Sequence, residues 1–122
     1  MTDYVVTVPK GFWPEWIAEG DAVGEPETGE EWGFFVGWSP PAEPLAPDSR
    51  LYVVAWNKLR GYAPITRIAK TERGFAFCRR GGAVACTTCV AIPGFRGYRK
   101  RWWPREIEQA FPDWRTYAVG AK

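Results

Sequence analysis

The chain has 122 residues, the size of one domain that can bury a core without disulfides or metal. Its composition, 46% hydrophobic and 25% charged, excludes a disordered or fibrous protein. The net charge is only +2, but residues 1–50 carry −8 and residues 51–122 carry +10. Either the two halves neutralise each other in the fold, or a basic face is left for an anionic partner. We therefore expect a single folded domain over residues 1–122.

The sequence also bears on location. It holds no apolar run long enough to span a bilayer, and it begins without the basic and apolar regions of a signal peptide. Three cysteines, an odd number, indicate thiols in a reducing compartment. The prediction is a cytoplasmic protein with no membrane partner.

The first half of the chain predicts two strands and a helix. Residues 4–8 read as an opening strand. A short helix follows, with Pro14 in its first turn and Gly20 at its end. Residues 32–38 are a second strand candidate, and residues 39–49, with four prolines, are a loop.

The second half predicts a series of short strands joined by tight turns, at residues 51–56, 59–69, 75–78 and 83–92. Pro64 interrupts one of them and favours an edge position or a bulge, because proline cannot donate to a sheet ladder. A last helix is predicted over residues 104–111. The fold class expected is α+β: a small antiparallel β-barrel or strongly curled sheet of five to six strands, with two or three short peripheral helices.

Residues 94–105 form the most informative segment, with five bases, four aromatic residues and no acid. Basic side chains contact phosphate, and aromatic faces stack on unpaired or extruded bases. The segment therefore predicts a nucleic-acid surface. The alternative is that its aromatic residues cap the core while its arginines pair with the acidic first half. The basic residues of the segment are Arg96, Arg99, Lys100, Arg101 and Arg105.

Aromatic residues are unusually frequent, with eight tryptophans in so short a chain. A domain of this size cannot hide all of them, so we expect two or three to line a pocket for a planar base. The candidates for this base-stacking pocket are Trp13, Trp32, Tyr62, Tyr98, Trp102 and Trp103.

Two glycine-containing segments extend the basic set. Lys58 and Arg60 precede Gly61, which suggests a bulge or the close approach of a ligand; the alternative is a hairpin with solvated charges. Arg79 and Arg80 precede a Gly-Gly turn that could cradle phosphate, although the GxxxxGK[ST] pattern is missing and a plain hairpin turn is the alternative. All four bases are predicted to contact nucleic acid.

Catalytic and metal chemistry have little support. The chain has no histidine, which removes the usual neutral-pH base and any Ser-His or Cys-His pair. Its three cysteines cannot supply a four-ligand zinc site, and Cys78, Cys86 and Cys89 are predicted to be buried in strands. We predict no metal and no cofactor. A third hypothesis, a nucleoside-directed hydrolase using Lys58 and a carboxylate, has no spacing that singles out a pair among Glu30, Glu31 and Glu72.

Residues 47–54 followed by residues 59–65 resemble the PUA-like superfamily, including its ASCH and EVE members, in which a strand after Gly-Asp precedes a strand bearing a glycine. The resemblance implies a small β-barrel with a cleft for RNA, DNA or a single modified base, and places Arg60 and Tyr62 near that cleft. Asp48-Ser49 stands where the family has Gly-Asp. The ASCH signature G-x-K-x-x-E-x-R is absent, so the amidohydrolase activity of some members is not expected.

The leading hypothesis is a non-catalytic nucleic-acid or modified-base binding domain with a basic, aromatic cleft. The second is a protein-interaction module, such as a small inhibitor or accessory factor, because exposed Trp and Arg anchor protein interfaces.

Overall fold

The computed structural model describes residues 3–7, 32–37, 40, 45–55, 57–72, 74–79, 84, 86–89 and 91–110. These residues form a short 3-10 helix, Arg105–Ile107, and nine β-strands. The strands are β1 Tyr4–Thr7, β2 Trp32–Gly37, β3 Arg50–Ala55, β4 Lys58–Pro64, β5 Arg67–Thr71, β6 Gly74–Arg79, β7 Cys86–Thr87, β8 Tyr98–Lys100 and β9 Gln109–Ala110.

The centre of the fold is a four-stranded sheet in the order β4-β3-β1-β8. β1 runs parallel to β3 and antiparallel to β8, whereas β3 and β4 form an antiparallel hairpin. Side chains of a strand point alternately to its two faces. Along β1, Tyr4 and Val6 therefore join one core cluster and Val5 the other.

One face of the central sheet packs against a second sheet, ordered β2-β6-β5. Phe75 and Phe77 of β6 meet Tyr4, Val6 and the alternate residues of β3 in this first core cluster. The largely apolar sequence of β6 is explained by its central position, because both its neighbours are strands.

The opposite face of the central sheet carries the second core cluster, which contains Val5, Tyr52, Val54 and Trp103. It is covered by β7, which pairs with β9, and by the chain around Ile92. Both faces of β1 and β3 are thus buried, which accounts for their nearly continuous apolar sequences.

The hairpin of β3 and β4 contains the irregularities that its sequence predicts. Asn57 has a φ of 58°, the left-handed conformation that asparagine tolerates in a turn. The register shifts between Val53 and Val54, so that Arg60 is the extra residue of a bulge just before Gly61. Pro64 pairs with Arg50 at the end of β4, which is an edge strand of the sheet.

The predicted fold class is wrong. The described residues form three small sheets and no closed barrel, with a three-residue 3-10 helix as their only helical element. The prediction of consecutive antiparallel hairpins fails mainly because β1 pairs in parallel with β3. Parallel neighbours need a long crossover connection and not a tight hairpin turn. The helix expected between Pro14 and Gly20 lies outside the described residues.

The helix predicted over residues 104–111 is also wrong. The 3-10 helix ends at Ile107, the backbone of Glu108 is extended with a ψ of 136°, and β9 follows at once. Ile107, an apolar residue of the predicted helix, is exposed. Pairing with β7 and the contacts of the Glu108 side chain take precedence over the helical pattern of apolar residues.

Within the described part of the chain, no helix is both long and apolar enough to traverse a lipid bilayer.

Candidate nucleic-acid interface

Several exposed residues of segment 94–105 form a small group of aromatic and basic side chains on one face of the central sheet. Arg99 of β8 pairs with Val5, so it lies on the face that carries the second core cluster. Its guanidinium carbon lies 4.6 Å from the ring centroid of Phe95 and 5.9 Å from that of Trp102. Arg96 is exposed just before β8. We call Phe95, Arg99 and Trp102, together with their chain neighbour Arg96, the Trp102 surface.

The chain beneath this surface is anchored to the sheet. The backbone N–H of Phe95 donates a hydrogen bond of 3.1 Å to Thr7 Oγ1 at the end of β1. The Phe95 ring is half-buried against the second core cluster, and its centroid lies 6.3 Å from that of Trp102. Trp102 itself is 52% exposed. The surface therefore combines the half-buried ring of Phe95 with the exposed indole of Trp102.

Arg101 and Arg105 point elsewhere, into ion pairs with Asp3. Arg101 Nε donates to Asp3 Oδ2 at 2.8 Å, and Arg105 Nη2 donates to Asp3 Oδ1 at 2.9 Å. The Asp3 side chain is completely buried, and it also accepts the backbone N–H of Arg50 at 2.9 Å. The alternative interpretation of the basic segment, pairing with the acidic half, thus applies to these two arginines.

The Asp3 carboxylate is held ionised by its partners. Burial by itself raises the pKa of Asp3, but hydrogen bonds from Arg105, the backbone of Arg50 and Arg101 outweigh it. The pKa consequently lies below its ordinary value of 3.8. The same hydrogen bond to Asp3 raises the pKa of Arg105.

Glu108 forms a second buried polar centre, which the sequence did not indicate. Its carboxylate accepts the Tyr52 hydroxyl at 2.6 Å, the Trp103 indole N–H at 2.9 Å and Arg50 Nη1 at 3.2 Å. Burial and the bond to Glu108 raise the pKa of Tyr52, so its hydroxyl stays protonated and donating. We call Glu108, Arg50, Tyr52 and Trp103 the Glu108 cluster. It fixes Trp103, which is buried, directly behind Trp102.

The structure separates the remaining predicted basic residues. Arg60 and Arg79 are each 1% exposed, so in this conformation they do not reach a surface ligand. Arg60 Nε donates to the Ala55 carbonyl at 2.9 Å. Lys58 is half-buried at the start of β4, and Lys100 pairs with Tyr4, on the opposite face of β8 from Arg99. Arg80 lies outside the described residues.

The predicted stacking residues are divided in the same way. Tyr98 packs edge-on against Tyr4, Phe75 and Phe77 in the first core cluster. Tyr62 is half-buried beneath the Arg50 guanidinium, 4.0 Å from it. Trp13 and the side chain of Trp32 lie outside the described part of the chain. Among the stacking candidates that the structure describes, Trp102, backed by Trp103, is the exposed ring beside the arginines.

The residues that sequence reasoning missed are Asp3, Glu108 and, as a stacking candidate, Phe95. Apart from Trp103, which is five positions from Glu108, the partners of Asp3 and Glu108 lie 47 to 102 positions away in the chain, so local spacing did not indicate these two carboxylates. Phe95 was visible only as one aromatic residue of the basic segment.

The predicted cysteine environments are partly right. Cys78 in β6 and Cys86 in β7 are buried, but Cys89 is exposed because β7 ends at Thr87. Among the described residues, no three carboxylate or thiol groups are arranged to hold a metal ion.

Comparison of the chain with protein-family models, with curated proteins and with solved structures found no match. Function therefore has to be inferred from the residues of the site themselves.

Proposed function

We propose that this domain binds nucleic acid through the Trp102 surface. The observation that carries the proposal is the position of Arg99, whose guanidinium lies against Phe95 and close to the exposed ring of Trp102. A guanidinium stacked on a ring keeps its N–H groups available to an anion. One nucleotide can then offer its phosphate to the arginine and its base to the indole.

The distribution of ion pairs among the basic residues of segment 94–105 supports the same surface. Asp3 takes up Arg101 and Arg105, whereas no described carboxylate forms an ion pair with Arg96 or Arg99. Lys100 adds positive potential at the same edge strand, from its other face. Arg96 and Arg99 are both exposed, so their positive potential can steer a polyanion toward this surface.

The PUA-like resemblance leads to the same class of ligand but to a different place. It puts the cleft near Arg60 and Tyr62, whereas Arg60 is buried against the Ala55 carbonyl and Tyr62 lies under Arg50. The proposal therefore depends on the Trp102 surface and not on that cleft.

The test compares two adjacent charges on opposite faces of β8. Binding of a fluorescently labelled oligonucleotide is measured by anisotropy at about 50 mM salt for the unaltered protein, Arg99→Gln and Lys100→Gln. Loss of one phosphate contact by Arg99→Gln is expected to weaken binding on the order of tenfold at this salt. Lys100→Gln should weaken it less, although both variants lose one positive charge.

Three outcomes would contradict the proposal. The first is the absence of binding by the unaltered protein even at low salt. The second is a stable protein partner that binds through Trp102 with an affinity insensitive to salt, which would favour an interaction module. The third is an equal loss of affinity in the two variants, which would show that net charge, and not this face, governs binding.

A further inference from the structure

We infer that the nucleic acid bound by the Trp102 surface is single-stranded, and that one unpaired base stacks on the indole of Trp102. This inference rests on the proposed function and specifies its ligand. The Phe95 and Trp102 rings are inclined at 65°, so a base lying flat on one of them meets the other edge-on. A base can therefore stack flat on one of the two rings but not on both.

The two rings differ in what already covers them. Arg99 lies 4.6 Å from the Phe95 centroid but 5.9 Å from that of Trp102, so the guanidinium is stacked mainly on Phe95. Trp102 is 52% exposed. The indole is thus the available stacking platform, with Arg99 at its border for the phosphate of the same or the next nucleotide.

Trp102 is also held in place before a ligand arrives. Its ring packs edge-on against Trp103, with centroids 5.0 Å apart and planes at 83°. Trp103 is only 7% exposed and its indole N–H donates to Glu108 at 2.9 Å. A platform fixed from behind loses little conformational freedom on binding, which favours affinity.

A duplex cannot use such a platform. In a double helix the faces of the bases are covered by their neighbours, and only their edges are presented in the grooves. Trp102 follows a three-residue edge strand, β8, which is too short to form the two-stranded ribbon that enters a major groove. A duplex is therefore left with phosphate contacts alone.

The experiment separates stacking from phosphate contact with four probes of one length, at one salt concentration. These are single-stranded oligo(dT), the corresponding oligo(U), a DNA duplex closed at both ends by linkers without bases, and an abasic strand that keeps the phosphates but has no bases. The unaltered protein should bind oligo(dT) more tightly than the duplex and the abasic strand. Comparison of oligo(dT) with oligo(U) decides between DNA and RNA as the source of the base.

Trp102→Ala should weaken binding of the base-bearing single strands by about 5- to 150-fold, the loss of one stacked base. It should leave the abasic strand and the duplex within about twofold of the unaltered protein. Trp102→Phe keeps a ring and should restore most of the affinity. Phe35→Ala is the matched control, because Phe35 is 53% exposed but lies on β2 in the second sheet. It should change no affinity.

Equal weakening of all four probes by Trp102→Ala would overturn the inference, as would a duplex bound as tightly as oligo(dT). In either case a strong effect of Arg99→Gln would leave the proposed function standing. If the unaltered protein binds none of the four probes, the proposed function itself is rejected.

Discussion

Asp3 decides which arginines of segment 94–105 remain at the surface. Asp3 directly precedes β1 and its carboxylate is buried. The backbone N–H of Arg101 donates to the backbone carbonyl of Asp3 at 2.9 Å. This backbone bond places the Arg101 side chain beside the Asp3 carboxylate, with which it forms an ion pair. Within segment 94–105, Arg99 is therefore exposed, whereas Arg101 is held in the ion pair.

The Asp3→Asn substitution is expected to lower the free energy of unfolding by about 3–5 kcal/mol, because it leaves two arginines without their buried counter-charge. Urea denaturation measures the effect. Asp48→Asn is the matched control: Asp48 is 59% exposed and lies 3.5 Å from Arg105, so its loss should cost less than about 1 kcal/mol. Similar losses in both variants would contradict a structural role for Asp3.

The low pKa of Asp3 has a consequence in acid. Between the unfolded value of 3.8 and the lower folded value, the unfolded chain binds a proton that the folded Asp3 does not. The stability that Asp3 contributes is therefore complete above 3.8 and is lost as the pH falls through the folded pKa. The difference in unfolding free energy between the unaltered protein and Asp3→Asn should narrow below about pH 3.8. A gap that widens there would contradict the assignment.

At the level of single residues, sequence reasoning found the segment but not the roles within it. Segment 94–105 does contain the exposed aromatic and basic residues of the candidate site. Arg99 and Arg101 could not be told apart, because their difference depends on Asp3, 98 positions away from Arg101. Tyr98 and Trp102 likewise have different environments, since Tyr98 packs against the first core cluster and Trp102 is exposed beyond the end of β8.

At the level of elements, Gly74 shows how closely β2 and β6 approach. It has a φ of +119°, and a Cβ at this position would lie 2.0 Å from the carbonyl oxygen of Gly37. Gly74→Ala should therefore destabilise the protein by more than about 3 kcal/mol, since backbone must move. Gly97→Ala has no atom within 4 Å of the new Cβ and should cost only about 1–2 kcal/mol for its positive φ. Thermal unfolding of both variants gives the comparison, and equal shifts would argue against the clash.

The strands also set the reactivity of the thiols. Burial, with the Glu108 charge as a smaller cause, raises the pKa of Cys86 to about 12, so at pH 8 it is a thiol and not a thiolate. Cys78 is buried in β6, whereas Cys89 is exposed beyond the end of β7. Alkylation of the native protein at pH 8, followed by mass spectrometry, should modify Cys89 first. Rapid labelling of Cys86 before Cys89 would contradict this order.

Most strands were predictable because their apolar sequences are bounded by turn residues. β1, β2, β3 and β6 lie within a residue or two of the predicted ranges, and Pro64 does mark the end of β4. The partners of the strands were not predictable. β1 pairs in parallel with β3, and β2 belongs to another sheet. Both facts depend on contacts between residues far apart in the chain, which local sequence patterns do not specify.

At the scale of the whole molecule, ion pairs between described residues join the acidic first half to the basic second half. Asp3 and Asp48 engage Arg105, and Asp3 also engages Arg101. Pairing with Asp3 engages Arg101 and Arg105 of segment 94–105, whereas Arg96 and Arg99 are exposed.

This division predicts the salt dependence of binding. Each phosphate neutralised on a single strand contributes about −0.7 to the slope of log K against log salt concentration. One or two contacts, from Arg99 and Arg96, give a slope of about −0.7 to −1.4, whereas participation of Arg101 and Arg105 would bring it to about −2.8. Anisotropy titrations with oligo(dT) over a series of salt concentrations measure the slope, and Lys70→Gln, an exposed base of β5 in the second sheet, should leave it unchanged. A slope near −2.8 would mean that the ligand breaks the Asp3 ion pairs, and so would contradict the division of charges between Asp3 and the exposed surface.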